Sequence, residues 1–212
     1  MKKIVLYGDS NTWGYCGWDI GKRIPRDQRF EGHIARAFPQ YEVVAEGLPG
    51  RNLSFPHPIE TNTNGMQVLP TLLTTHEPID LVVIMLGTND SMTILSNSLF
   101  NIRYAMEKTI QLIRATDRWA IDRMEAPDIL LVAPPKISHV TESPYYGQYD
   151  ERSVELVAGL PEVYRKLSEQ YGCGFVDGSF IEPSGMDGVH LNAQEHAALA
   201  EKIIAEMKTM GY

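Results

Sequence analysis

The run Leu81-Val82-Val83-Ile84-Met85-Leu86, followed at once by Gly87-Thr88-Asn89-Asp90, decides how the rest of the chain is read. Apolar residues in succession, without polar alternation, describe a strand covered on both faces, the pattern of a parallel sheet buried between helices. Four shorter runs share that character: Ile4 to Tyr7, Val43 to Ala45, Ile129 to Ala133, and Phe175 to Val176. Between them lie segments with helical spacing. Ile102, Ala105, Met106, Thr109, Ile110 and Ile113 recur in i, i+3, i+4 steps and make one apolar stripe. Ala193, Ala197, Ala200, Ile204 and Met207 mark a last helix, which Asn192 caps, with Glu195 in capping-box position. Further helices are expected over Phe30 to Phe38, Met66 to Thr75, and about Ser153 to Tyr171, the last kinked at Pro161 and stopped by Gly172.

Strands alternating with helices imply right-handed crossovers. The expected fold class is therefore α/β: a three-layer α/β/α, flavodoxin-like arrangement with a five-stranded parallel sheet, in a single domain over residues 1–212. The composition agrees, since 212 residues with 43% hydrophobic and 22% charged content suit one globular domain and exclude collagen-like, disordered and coiled-coil classes. Asp and Glu number 27 against 19 Lys plus Arg, leaving a net charge of −8. That balance lacks the basic excess of a general nucleic-acid binder and points to a small ligand, neutral or cationic.

Cys16 and Cys173 have neither the number nor the spacing of a disulfide scaffold or a zinc site, and read as reduced cytosolic thiols. The apolar run after Met1-Lys2-Lys3 is broken by Gly8 and Asp9, too early for a secretory signal core. No run approaches the roughly 18 residues of a membrane span. The chain is accordingly expected in the cytoplasm, without a removed leader and without membrane contact.

In open sheets of this kind ligands sit outside the carboxyl ends of the strands, so the residues just after each run carry the functional reading. Gly8-Asp9-Ser10-Asn11-Thr12 follows the first. It describes either a capped turn or a serine nucleophile held at a helix start, where N–H groups and the helix dipole favour negative charge. Glu46-Gly47-Leu48-Pro49-Gly50-Arg51-Asn52 follows the second; it is a tight loop in which Gly50 also lets a backbone N–H approach a substrate oxygen. Gly87-Thr88-Asn89-Asp90 follows the third, where Asn89 offers an amide donor that an ionised Asp90 cannot. Asp187-Gly188-Val189-His190 precedes the last helix. Asp187 is close enough there to orient one imidazole nitrogen while the other faces outward, as a serine nucleophile requires. His196 falls on the apolar side of its helix and reads as a packed residue.

These blocks, in this order over residues 8 to 190, resemble the SGNH hydrolase superfamily, also called GDSL esterases and lipases, whose marker residues are Ser, Gly, Asn and His. The resemblance implies a serine esterase with Ser10 as nucleophile, His190 as general base and acid, and Asp187 as its orienter. It further implies an oxyanion hole from the Ser10 and Gly50 N–H groups and the Asn89 side chain. Asn11 stands where many members have Ile or Leu. The sequences flanking the blocks look like the arylesterase branch, which also performs acyl transfer to alcohols or peroxide and tends to form homo-oligomers. The implied substrate is a small short-chain aryl or alkyl ester, and neither cofactor nor metal is called for. Trp13, Trp18, Leu48, Leu53 and Ile94 are expected to line the site, and the tyrosine-rich insertion Lys136 to Asp150 to make a subunit contact.

Alternatives are a deacetylase of acetylated carbohydrates on the same site, a flavodoxin-like phosphate or flavin module, and a metal-dependent phosphohydrolase using Asp9, Asp90, Asp187 and His190. The flavin module leaves Asn89, Asp187 and His190 without work, and the phosphohydrolase lacks an Asp-x-His pair near the first strand. An α/β-hydrolase is disfavoured because no Gly-x-Ser-x-Gly elbow occurs.

Overall fold

Five parallel strands, Lys2–Gly8 (β1), Tyr41–Gly47 (β2), Leu81–Met85 (β3), Asp128–Ala133 (β4) and Gly174–Asp177 (β5), form one sheet in the order β2-β1-β3-β4-β5. The structure is a computed structural model that describes residues 2–19, 21–115, 126–138, 143, 145–185 and 187–212. Each expected strand run lies on one of these strands; Leu86 alone falls one residue beyond β3.

The helices are Ser10–Trp13 (α1), Phe30–Ala37 (α2), Gly65–His76 (α3), Leu99–Arg114 (α4), Glu151–Tyr171 (α5) and Ala193–Thr209 (α6). Their boundaries follow local chemistry. Asn192 and Glu195 close a full capping box on α6, and Asp150 with Ser153 does the same on α5. Gly172 ends α5 in the left-handed conformation, whereas Pro161 lies within the helix.

Because side chains alternate along each strand, the sheet carries two separate cores. Val5 and Tyr7, Val82 and Ile84, and Ile129 and Leu131 pack with Leu69 and Leu73 of α3, Ile102 to Ile113 of α4, and Leu160 to Leu167 of α5. Ile4 and Leu6, Val83 and Met85, and Leu130 and Val132 pack on the opposite face with Phe30 and Ile34 of α2 and Leu199 to Met207 of α6. The three-layer arrangement expected from the sequence follows directly: each face of the sheet buries its own helical layer. Strand carboxyl ends are thereby left as the edge where chemistry can assemble. Among the described residues, no helix is long and apolar enough to cross a membrane.

Candidate active site

Ser10 begins α1 directly after β1. Asp9 caps that helix through an Oδ1 that accepts the Asn11 N–H at 3.0 Å. Since α1 spans only four residues, its macrodipole is slight, and the individual N–H groups at its start matter more. Ser10 Oγ lies 2.8 Å from His190 Nε2. On the other side of the ring, His190 Nδ1 lies 2.7 Å from Asp187 Oδ2, while Asp187 Oδ1 accepts the N–H groups of Val189 and His190, both at 2.9 Å. The carboxylate thus holds the turn that bears the imidazole as well as the imidazole itself. Burial opposes ionisation of Asp187, but the hydrogen bonds from His190 and Val189 outweigh it and hold its carboxyl below the usual range. Gly17 packs against this carboxylate so closely that an added Cβ would lie 2.3 Å from Oδ2.

Asn11 has a role that the sequence did not disclose. Its buried amide donates from Nδ2 to the Val189 carbonyl at 3.2 Å and accepts the Leu191 N–H on Oδ1 at 3.0 Å. Those two bonds bracket His190, so the helix that begins with Ser10 fixes the imidazole's segment in register. An Ile or Leu at that position cannot make either bond.

The three loops after β1, β2 and β3 are cross-tied. The buried Arg51 guanidinium donates to the carbonyls of Gly8 and Glu46 and lies 4.4 Å from the Tyr7 ring centroid. Asn89 Nδ2 donates to the Arg51 carbonyl at 2.9 Å, and Asp90 Oδ1 accepts the Leu53 N–H at 2.9 Å. Gly50 adopts φ +79°, a conformation that glycine takes without strain, and its N–H has no hydrogen-bond partner among the described residues. Asp9 and Asp90 are both fully buried, and loss of hydration pushes their carboxyls up to about 6 and about 7. Asp90 Oδ2 has no hydrogen-bond partner among the described residues.

Ser10, Gly50, Asn89 and His190 together border a cavity of about 170 Å³, completed by Tyr15, Pro49, Glu60, Met92, Tyr145, Gln148 and Tyr149. Tyr15 and Tyr145 place their rings 4.5 and 5.8 Å from the imidazole, centroid to centroid, and the Tyr145 hydroxyl donates to that of Tyr15 at 2.8 Å. The structure therefore brings together Ser10, His190 and Asp187, the expected nucleophile, base and orienter, with all three expected oxyanion groups.

It does not bring the expected lining residues to that cavity. Leu53 is 1% exposed and packs into the core, because an apolar side chain next to the sheet is drawn inward. Trp13 lies under the Arg23 guanidinium, 4.8 Å from its ring centroid. Leu48 is half-buried in the loop after β2 and does not border the cavity, and Trp18 and Ile94 face solvent. Tyrosines of the 136–150 insertion supply the wall instead: Tyr145 and Tyr149 turn to the cavity while Tyr146 stays exposed. Residues 139–142 and 144 of that insertion, His139 and Pro144 included, lie outside the described residues. The lone-histidine reading of His196 agrees with its place, fully buried against the Phe30 ring.

A family model described as GDSL-like lipase/acylhydrolase matches residues 6–198. Among solved structures, the chain is similar to Est24, a carbohydrate acetylesterase from Sinorhizobium meliloti, with 29% identity, TM-score 0.94, and coverage of 99% of this chain and 100% of that one. A second carbohydrate acetylesterase family member from Sinorhizobium meliloti is 35% identical, with TM-score 0.91 and 99% of each chain covered. The M. smegmatis aryl esterase is 28% identical, with TM-score 0.92 and 99% of each chain covered. Comparison with curated proteins gives no match.

Proposed function

The chain belongs to the GDSL-like lipase/acylhydrolase family and is a carboxylic ester hydrolase, and we propose that Ser10, His190 and Asp187 carry its reaction on small, short-acyl esters. The observation that supports this most is the unbroken hydrogen-bonded series from Ser10 Oγ through both imidazole nitrogens to Asp187 Oδ2. Ser10 Oγ attacks the ester carbonyl carbon while His190 Nε2 accepts its proton. Asp187, accepting from Nδ1–H, fixes the tautomer and steadies the imidazolium. The carbonyl oxygen, now negative, is met by the Ser10 and Gly50 N–H groups and an Asn89 amide N–H. His190 then protonates the departing alcohol. Water, deprotonated by the same nitrogen, releases the acid from Ser10.

Cavity size supports the acyl preference, since about 170 Å³ is well below the roughly 300–1,000 Å³ of pockets for drug-sized ligands. A panel of aryl esters of rising acyl length tests it, with Ser10→Ala as the inactive control. Acetyl esters should turn over fastest; a preference for octanoyl would sink the reading. Asn89→Ala should lower kcat by about 10² to 10³, on the order of 3 kcal/mol of transition-state stabilisation.

The polar mouth favours a second reading, deacetylation of carbohydrates. The Glu60 carboxylate lies against Gly50, its Oε2 2.9 Å from where a Cβ would stand, beside Gln148 on the cavity wall. Both are suited to hydroxyl-rich leaving groups, and two similar structures are those of a carbohydrate acetylesterase and a carbohydrate acetylesterase family member. An acetylated sugar hydrolysed faster than phenyl acetate, with Glu60→Gln reversing the order, decides for it. Acyl transfer is read from the same assays by adding an alcohol and measuring ester product against free acid.

A further inference from the structure

Tyr149 lies in the segment that the sequence marks only as an insertion, yet its hydroxyl donates to Asn89 Oδ1 at 2.8 Å and is buried with it. Burial holds its phenol well above the usual range, so the group stays neutral and keeps its proton to give. The Asn89 amide is consequently held at both ends: Oδ1 by Tyr149, and one Nδ2 hydrogen by the Arg51 carbonyl. That leaves the second Nδ2 hydrogen, at a position bordering the cavity with Ser10 and Gly50.

We propose that Tyr149 is a positioning residue for the oxyanion hole, acting only through Asn89. Two effects combine. A flipped amide would set Oδ1 against the Arg51 carbonyl, acceptor to acceptor, and Tyr149 reinforces the productive orientation by requiring an acceptor on its own side. A hydrogen bond into the amide oxygen also polarises the amide, making its remaining N–H a better donor to an oxyanion. Tyr149 is itself held in place by its neighbours. It immediately precedes Asp150, whose capping box starts α5, and the Thr93 N–H and hydroxyl donate to the Gln148 and Gly147 carbonyls. Ser153 Oγ, within the same box, donates to the Ser91 carbonyl. The start of α5 is thereby locked to the segment that bears Asn89.

The inference rests on the reading of Asn89 as an oxyanion donor, and a double-mutant cycle separates the two. Tyr149→Phe, which removes one oxygen and keeps the ring, should lower kcat on phenyl acetate roughly 5- to 10-fold with KM unchanged. In an Asn89→Ala background the same substitution should change kcat less than twofold. The pH profile of kcat/KM should keep its shape, because His190 is untouched, and circular-dichroism melts confirm that each variant folds. An equal loss in both backgrounds, no loss in the parent, or a displaced pH profile overturns the role of Tyr149. Full activity in Asn89→Ala alone overturns the reading beneath it.

Discussion

His190 ends the turn before α6 and His196 lies in its first helical turn, yet the two imidazoles meet different surroundings. Depth does not separate them, at 6% and 0% exposure. Partners do. Both nitrogens of His190 are engaged, one by a carboxylate and the other by a hydroxyl, while neither nitrogen of His196 has a hydrogen-bond partner among the described residues and its ring lies 5.6 Å from that of Phe30. Loss of hydration, aided by the nearby charge of Arg29, drives His196 down to about 3, so it is neutral in the folded protein at neutral pH. A histidine is equipped to act as a base where polar groups divide its two nitrogens between them; among apolar side chains the same ring is buried bulk whose unpaired nitrogens cost free energy.

The sharpest way to break this contrast is to exchange the roles by mutation. His190→Ala should lower kcat on aryl acetates by on the order of 10⁶ and leave the melting temperature within a few degrees, since the residue sits at the cavity rather than in a core cluster. A residual rate above about one per cent of the parent would remove His190 from the reaction. Asn11→Leu tests whether the bracket around His190 matters: it should cost about tenfold in kcat with KM unchanged, as the base loses its register. Wild-type kcat in that variant would mean that the Asp187 turn alone suffices.

His196→Leu should do the reverse, with kcat within twofold and a change confined to stability. An unfolded chain binds a proton at His196 near pH 6.5, whereas the folded chain refuses one until about pH 3. Stability is therefore complete above pH 6.5 and is lost as the pH falls below it, by about 2 kcal/mol at pH 5 from this group alone. Denaturant titrations of parent and variant at pH 8 and pH 5 isolate this contribution: relative to the parent, the leucine variant should gain about 2 kcal/mol on going from pH 8 to pH 5. Asp9 and Asp90 work in the opposite sense, their raised carboxyls weakening the fold as the pH climbs towards 7, so the variant also uncovers their contribution.

Most of the framework was legible because its signals are local. Unbroken apolar runs gave the strands, the i, i+3, i+4 stripe gave α4, and Asn192 with Glu195 gave the start of α6. Ser10, Gly50, Asn89, Asp187 and His190 stood out because each follows a strand or precedes a helix, in turns whose residue types are few. What stayed hidden joins distant parts of the chain. Asn11 read as a departure, although its bonds reach Val189 and Leu191, and Tyr149 read as part of a contact loop, although its partner is Asn89. Leu53 shows the converse: apolar character near a loop fits a pocket wall and a core equally well, and only the fold decides.

The Asn11 bracket also bears on how the protein is made. Its bonds join residues separated by 178 and 180 positions, so the site closes only when the two ends of the sequence have met. During synthesis Ser10 and Asn11 emerge before His190, and Asn11 stays without these partners until the segment through Leu191 clears the ribosome. Hydrolysis in a nascent-chain assay would accordingly switch on only after Leu191 has emerged, so that activity reports the meeting of these two segments.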